Sequence, residues 1–185
     1  GGASGRVYKG EGAWAESRAG AGLGTPGASF GWQWSDYDRD GDVGVCVSDG
    51  IAGGGDTNAL YRNNLDGTFT DVTVEAGLQE PPGRKTIGNC WGDFDDDGWP
   101  DLFVSGYKTA NRLYRNNGNG TFANVAATVG LLDDELLTTG YTCFFLDYDN
   151  DLDLDILRPA LAPFNDVLLG LSDRYNDLPL AKRKQ

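Results

Sequence analysis

Short apolar runs, separated by polar and glycine-rich breaks, recur from one end of the chain to the other. Phe30–Trp34, Cys90–Trp91 and Cys143–Leu146 are each followed, across an acidic stretch, by a second run at Val43–Val47, Leu102–Val104 and Leu154–Leu157. A third run, Ala59–Arg62 and its copies, precedes a fourth that starts at Thr68 or Thr121. The runs are brief and rich in aromatic and β-branched residues, which predicts strands. Asp66-Gly67 and Asn119-Gly120 stand between the third and fourth runs, and such dipeptides accept the positive φ of a tight hairpin turn, so the strands are expected to pair antiparallel.

Three blocks of sequence repeat in the same order. Trp14–Leu23 (WAESRAGAGL) aligns without gaps with Phe69–Leu78 (FTDVTVEAGL) and Phe122–Leu131 (FANVAATVGL), at spacings of 55 and 53 residues. Asn58–Asn64 (NALYRNN) matches Asn111–Asn117 (NRLYRNN) and, more loosely, Asn165–Gly170 (NDVLLG), at spacings of 53 and 54. The acidic stretches begin at Asp36, Asp93 and Asp147, 57 and 54 residues apart. Fixed order at one period marks a repeat array, and the small differences in spacing fall between blocks, where loops absorb insertions. Each unit reads strand, acidic loop, strand, variable loop, strand, tight turn, strand. Four short antiparallel strands in a repeat of this length form a propeller blade, although the signatures of the Trp-Asp and kelch repeats are missing.

The expected architecture is therefore all-β, with about three blades of four antiparallel strands. Residues 1–28 supply the last strand of a preceding blade and a linker. Residues 29–79 form the blade with the first acidic loop, 80–132 the blade with the second, and 133–185 a degenerate blade with the third loop and a basic tail.

Composition agrees with short strands and tight turns: 28 glycines and 11% aromatic residues in 185. A formal charge of −13, with only 15 scattered Lys and Arg, disfavours nucleic acid, because phosphate binding draws on clustered cations. No apolar run is long enough to span a bilayer and no leader-like segment opens the chain. Without Met or His, the sequence reads as a processed chain or excised fragment. Cys46, Cys90 and Cys143 have no metal-binding spacing; they are expected to pack as small buried apolar groups, with a disulfide left open.

Much of the acid is concentrated in the three repeated loops. These are Asp36-Tyr-Asp38-Arg-Asp40-Gly-Asp42-Val-Gly44, Asp93-Phe-Asp95-Asp-Asp97-Gly-Trp99-Pro-Asp101 and Asp147-Tyr-Asp149-Asn-Asp151-Leu-Asp153-Leu-Asp155. Carboxylates at the first, third and fifth positions converge if the backbone curls, and the sixth-position glycine permits the bend. Converging carboxylates repel one another unless a cation lies among them. Hard oxygen donors in a flexible loop select Ca2+ over softer metals, one ion per loop and up to three in all. An EF-hand needs an acid at the twelfth position, where Val47, Val104 and Arg158 stand, so this is a hairpin version of the motif. The second loop is the most complete, with Asp93, Asp95, Asp97 and Asp101 binding through side chains and Trp99 through its carbonyl. The first keeps Asp36, Asp38 and Asp40 but has Gly44 in the ninth position, which weakens it unless Asp42 or water substitutes, and the third has Leu152 where glycine is wanted. The competing reading, Asp-rich turns without metal, explains one loop more easily than three in register.

The string D-[FY]-D-x-D-G-x-x-D, followed by N-x-L-Y-R-N-N-x-x-G-T-F and a tail ending A-G-L, resembles the FG-GAP or VCBS type of repeat. That repeat occurs in the propellers of integrin α subunits and in ASPIC/UnbV and cartilage-acidic-protein-like families. The similarity runs from about Trp14 to about Gly170, and the last unit lacks the Y-R-N-N and G-T-F elements. The resemblance implies a usually seven-bladed propeller with structural calcium between the first two strands of a blade. It also implies an extracellular setting, secreted or at the cell surface (periplasmic if bacterial), and an extracellular protein or glycan as partner. Three units cannot close such a ring, so either further blades lie outside this sequence or copies of the chain associate through open edges.

No nucleophile elbow, phosphate-binding glycine loop or histidine base is present, and the expectation is a non-enzymatic module. Two alternatives stay open: an accessory domain of a secreted hydrolase, and a subunit of an extracellular fibre. Asn119-Gly-Thr121 matches a glycosylation acceptor but is read as a plain turn, because Asp66-Gly67 fills the same place. Trp32, Trp34, Trp91, Phe144 and Phe145 are read as blade packing rather than a sugar platform.

Overall fold

The computed structural model describes residues 7–10, 14–17, 21–24, 29–49, 58–81, 83–131, 142–158 and 167–169. These residues are all-β, in antiparallel sheets that follow one another along the chain. β1 (Val7–Gly10) pairs with β2 (Trp14–Ser17). β3 (Ser29–Ser35), β4 (Gly44–Asp49), β5 (Ala59–Asn63) and β6 (Phe69–Asp71) form the first four-stranded meander. β7 (Thr86–Gly92), β8 (Asp101–Gly106), β9 (Arg112–Asn116) and β10 (Phe122–Asn124) form the second. β11 (Phe144–Leu146), β12 (Asp155–Arg158) and β13 (Val167–Leu169) form a three-stranded sheet. The expected strand order within a unit is the one observed, and the first strands β3, β7 and β11 lie against one another in turn. The tail at 181–185 lies outside the described residues.

The opening stretch differs from expectation. One final strand was expected there, and the described residues hold a hairpin, with Tyr8 opposite Glu16 and Gly10 opposite Trp14. The signal for the additional strand is Val7-Tyr8-Lys9, an echo of Leu60-Tyr61-Arg62 and Leu113-Tyr114-Arg115.

Apolar side chains leave both faces of the two four-stranded sheets, because successive residues of a strand point to opposite sides. From β4, Val45 and Val47 enter one cluster with Tyr61 and Leu23, while Cys46 enters another. From β8, Leu102 and Val104 join Cys46 and Leu60 of the preceding blade, while Phe103 joins Cys143 and Ile156 of the following one. Each cluster therefore straddles a boundary between blades. Covering both faces is why these strands read as continuous apolar runs rather than alternating ones. All three cysteines are buried and free, as expected of packing groups, and burial pushes the Cys46 thiol up to about 12.

The tail of each unit clamps the next. The Phe69 N–H donates to the Ala21 carbonyl at 2.7 Å and the Phe122 N–H to Ala76 at 2.9 Å, so the repeated Ala-Gly-Leu runs along the neighbouring fourth strand. The repeated Asn-Asn and Gly-Thr residues close the hairpins. Asp66 Oδ1 accepts the Thr68 N–H at 2.9 Å and Asn119 Oδ1 accepts the Thr121 N–H at 3.1 Å. Asn64 and Asn117 reach the same threonine hydroxyls at 2.9 and 3.0 Å.

Candidate metal centre

Each acidic loop connects the first and second strands of its sheet. Its backbone turns left-handed twice, at the fourth position (Arg39 φ 55°, Asp96 55°, Asn150 62°) and at the sixth (Gly41 94°, Gly98 87°, Leu152 78°). The opening aspartate holds this curl in the second and third loops. Asp93 accepts the N–H groups of Asp97 (3.1 Å) and Gly98 (2.8 Å), and Asp147 accepts those of Asp151 and Leu152, both at 3.1 Å. The fifth aspartate accepts the N–H two residues on: Asp42 on Asp40, Trp99 on Asp97, Asp153 on Asp151, at 3.1, 2.9 and 3.0 Å. The ninth closes the loop onto its second residue, with Phe94 N–H on Asp101 and Tyr148 N–H on Asp155, each at 3.0 Å.

With the backbone so curled, carboxylate oxygens gather in three places. One oxygen each from Asp36, Asp38 and Asp40 lies within 4.8 Å of the others, and the same holds for Asp93, Asp95 and Asp101 and for Asp147, Asp149 and Asp155. Asp42, Asp97, Asp151 and Asp153 are not members of these side-chain groups. In the first loop the group is Asp36, Asp38 and Asp40, and the ninth position, where Gly44 stands, adds no acid. A side chain has no room at Gly44, since a Cβ there would lie 2.6 Å from the Tyr37 ring and 2.8 Å from the Tyr61 carbonyl.

The electrostatics are those of crowded acids, which at Asp95 the Arg115 charge only partly offsets. Burial, opposed by the Asn116 N–H and reinforced by Asp95, pushes the Asp101 carboxyl up to about 8. Burial and the neighbouring Asp97 push Asp95 up to about 6. Asp38, Asp93 and Asp149 are also raised, first by burial. Asp36 Oδ1, Asp42 Oδ2 and Asp95 Oδ1 are buried and accept no hydrogen bond. A buried polar atom left unmade costs about 1–3 kcal/mol, more if charged, so these oxygens fit a hard cation as their missing partner. The donor set of all three groups is oxygen alone, without nitrogen or sulfur.

Two supporting residues were not assigned roles from the sequence. Asn116, the first of the repeated Asn-Asn pair, donates its backbone N–H to Asp101 Oδ1 at 2.7 Å and its side-chain amide to the Pro100 and Tyr37 carbonyls at 3.0 and 2.8 Å. Its recurrence as Asn63 was the available signal. Arg39 reaches from the first loop to the second, donating to the Gly98 carbonyl at 3.0 Å with its guanidinium 5.4 Å from the Trp99 ring centre. Nothing in its own spacing announces that contact.

Human (Homo sapiens) cartilage acidic protein 1 is 31% identical over 108 residues, covering 57% of this chain and 16% of that protein. The proteins of the same name from Mus musculus and Xenopus tropicalis are each 27% identical, over 108 and 110 residues, with the same coverage. The match thus spans a small part of the length of these relatives. The profile of the FG-GAP-like repeat matches twice, over residues 36–104 and 93–157, each match carrying two successive acidic loops, and the chain belongs to the FG-GAP-like repeat family.

Proposed function

We propose that this chain is a non-catalytic propeller module whose acidic loops bind calcium. The observation that carries the proposal is the convergence of carboxylate oxygens in three loops together with buried Asp36, Asp42 and Asp95 oxygens that no hydrogen-bond donor reaches. In the second loop Asp93, Asp95 and Asp101 hold the ion, in the third Asp147, Asp149 and Asp155, and in the first Asp36, Asp38 and Asp40 together with Asp42, whose buried Oδ2 no donor reaches. When bound, the cation neutralises the crowded carboxylates and ties the two strands of the hairpin together. Its role is structural, and the module works outside the cell, presenting its loops to another protein or a glycan. The family membership and the name cartilage acidic protein carried by the relatives support that setting. Among the described residues no helix is long and apolar enough to cross a membrane.

Calorimetric titration of the metal-stripped protein tests the reading. Calcium is expected to bind and to raise the melting temperature, with magnesium at equal concentration doing much less. Asp95→Asn is expected to weaken calcium binding at least tenfold. Neither heat of binding nor a thermal shift in the unmodified chain overturns the proposal.

A further inference from the structure

Arg39, fourth in the first loop, crosses to the second. Its backbone turns left-handed, at φ 55°, between Asp38 and Asp40, two acids of the first carboxylate group. The guanidinium donates to the Gly98 carbonyl at 3.0 Å and lies 5.4 Å from the Trp99 ring centre, so it holds the sixth and seventh positions of the second loop at once. A Cβ on Gly118 would lie 2.9 Å from the Trp99 ring nitrogen, so that ring packs against the β9–β10 turn as well. Gly98 in turn donates its N–H to Asp93 Oδ2 at 2.8 Å, and Asp93 belongs to the second carboxylate group. A chain of contacts therefore runs from the backbone of one group to an acid of the next.

Asn116 also joins the two loops, through the Tyr37 and Pro100 carbonyls at 2.8 and 3.0 Å, but it is 1% exposed and belongs to the core. Its contact keeps the loops side by side whether or not they are loaded. Arg39 is exposed, and its seat depends on the curl of both loops. Converging carboxylates repel and loosen that curl, and an ion among them tightens it. Ordering that the first ion imposes through Arg39 is not required again of the second ion, which gives positive coupling. The following junction has no such strut. The fourth position of the second loop is Asp96, an exposed residue whose ionised carboxylate has no hydrogen to donate to the Leu152 carbonyl.

We infer, resting on the calcium reading above, that Arg39 couples the first two ion sites. Loading the second loop raises the calcium affinity of the first, and loading the first raises that of the second by the same factor. The third loop fills without regard to the first.

Calcium titration of the metal-stripped chain, followed through the Gly41 and Gly98 amide signals in NMR, reads the two loops separately. The first loop has no ninth acid, so it fills second and shows the coupling. Asp95→Asn disables the second loop and is expected to raise the Gly41 midpoint at least about fivefold. In an Arg39→Met background, which keeps the apolar stem and removes the donor, Asp95→Asn is expected to move that midpoint less than about twofold. Each factor compares two chains with the same residue 39, so a direct effect of Arg39→Met on the first loop cancels. Asp149→Asn leaves the Gly41 midpoint unchanged. Asparagine has the shape of aspartate and relieves the crowding of charge, and Arg39 is exposed, so circular dichroism is expected to show an unchanged fold. Equal factors in the two backgrounds, or no factor in the unmodified one while both signals respond to calcium, overturn this inference alone. Neither signal responding overturns the calcium reading and the coupling with it.

Discussion

Leu152 sits at φ 78° and is 85% exposed, in a position that Gly41 and Gly98 occupy in the other loops. A left-handed backbone brings the Cβ of an L-residue against the following carbonyl, at a cost of about 1–2 kcal/mol, part of which glycine's greater unfolded-state entropy returns. Leu152→Gly is therefore expected to stabilise the protein by about 0.5–1 kcal/mol in urea unfolding, and Gly98→Ala to destabilise it. Asp101 gives the pH dependence. Its carboxyl lies near 8 in the metal-free fold against an ordinary value of 3.8, so between these values the folded chain holds a proton that the unfolded chain releases. This contribution to stability is complete at acid pH and is lost as pH rises toward 8. Without metal, melting temperature is expected to fall from pH 5 to pH 8, and saturating calcium, which binds the ionised form, is expected to abolish or reverse that slope. A metal-free slope of opposite sign would count against the burial argument.

At the scale of elements, the clamp between units makes the sharpest demand. Gly22 has φ 75°, and a Cβ there would lie 2.3 Å from the Phe69 carbonyl oxygen, a backbone atom that cannot swing away. Gly22→Ala is expected to cost at least about 2 kcal/mol, through backbone strain and loss of the Phe69–Ala21 hydrogen bond. Hydrogen exchange at the Phe69 amide reads the second effect directly. The repeated A-G-L was plain in the sequence, but its purpose was not, because its partner lies about one repeat away and is met only when blades stack. The turn residues Asp66, Thr68, Asn119 and Thr121 were legible for the opposite reason: their hydrogen bonds close within two residues.

At the scale of the whole molecule, each core cluster among the described residues is shared between blades. Leu60 and Cys46 of the first pack with Leu102 and Tyr114 of the second, and Phe103 and Leu113 of the second pack with Ile156 of the third. Units that share their cores couple to their neighbours in unfolding. Loading one loop at a hundredfold excess over its dissociation constant adds about 2.7 kcal/mol, and calcium is expected to shift the melting of the described blades together as one transition. Two separated calorimetric transitions, only one of them calcium-sensitive, would contradict shared cores.

The amino-acid order alone determined the class, the repeat, the strand sequence within a unit and which loops are acidic. Each of these rests on neighbours a few residues apart, such as Asp66-Gly67 or the alternation around Asp93, or on direct comparison of one unit with the next. Tertiary structure alone decided which carboxylate oxygens come within reach of one another, and that Asn116 and Arg39 brace the second loop. The reason is distance along the chain: a carboxylate's neighbours and its exposure are set by strands and blades brought together in space, and no local spacing records where those will lie.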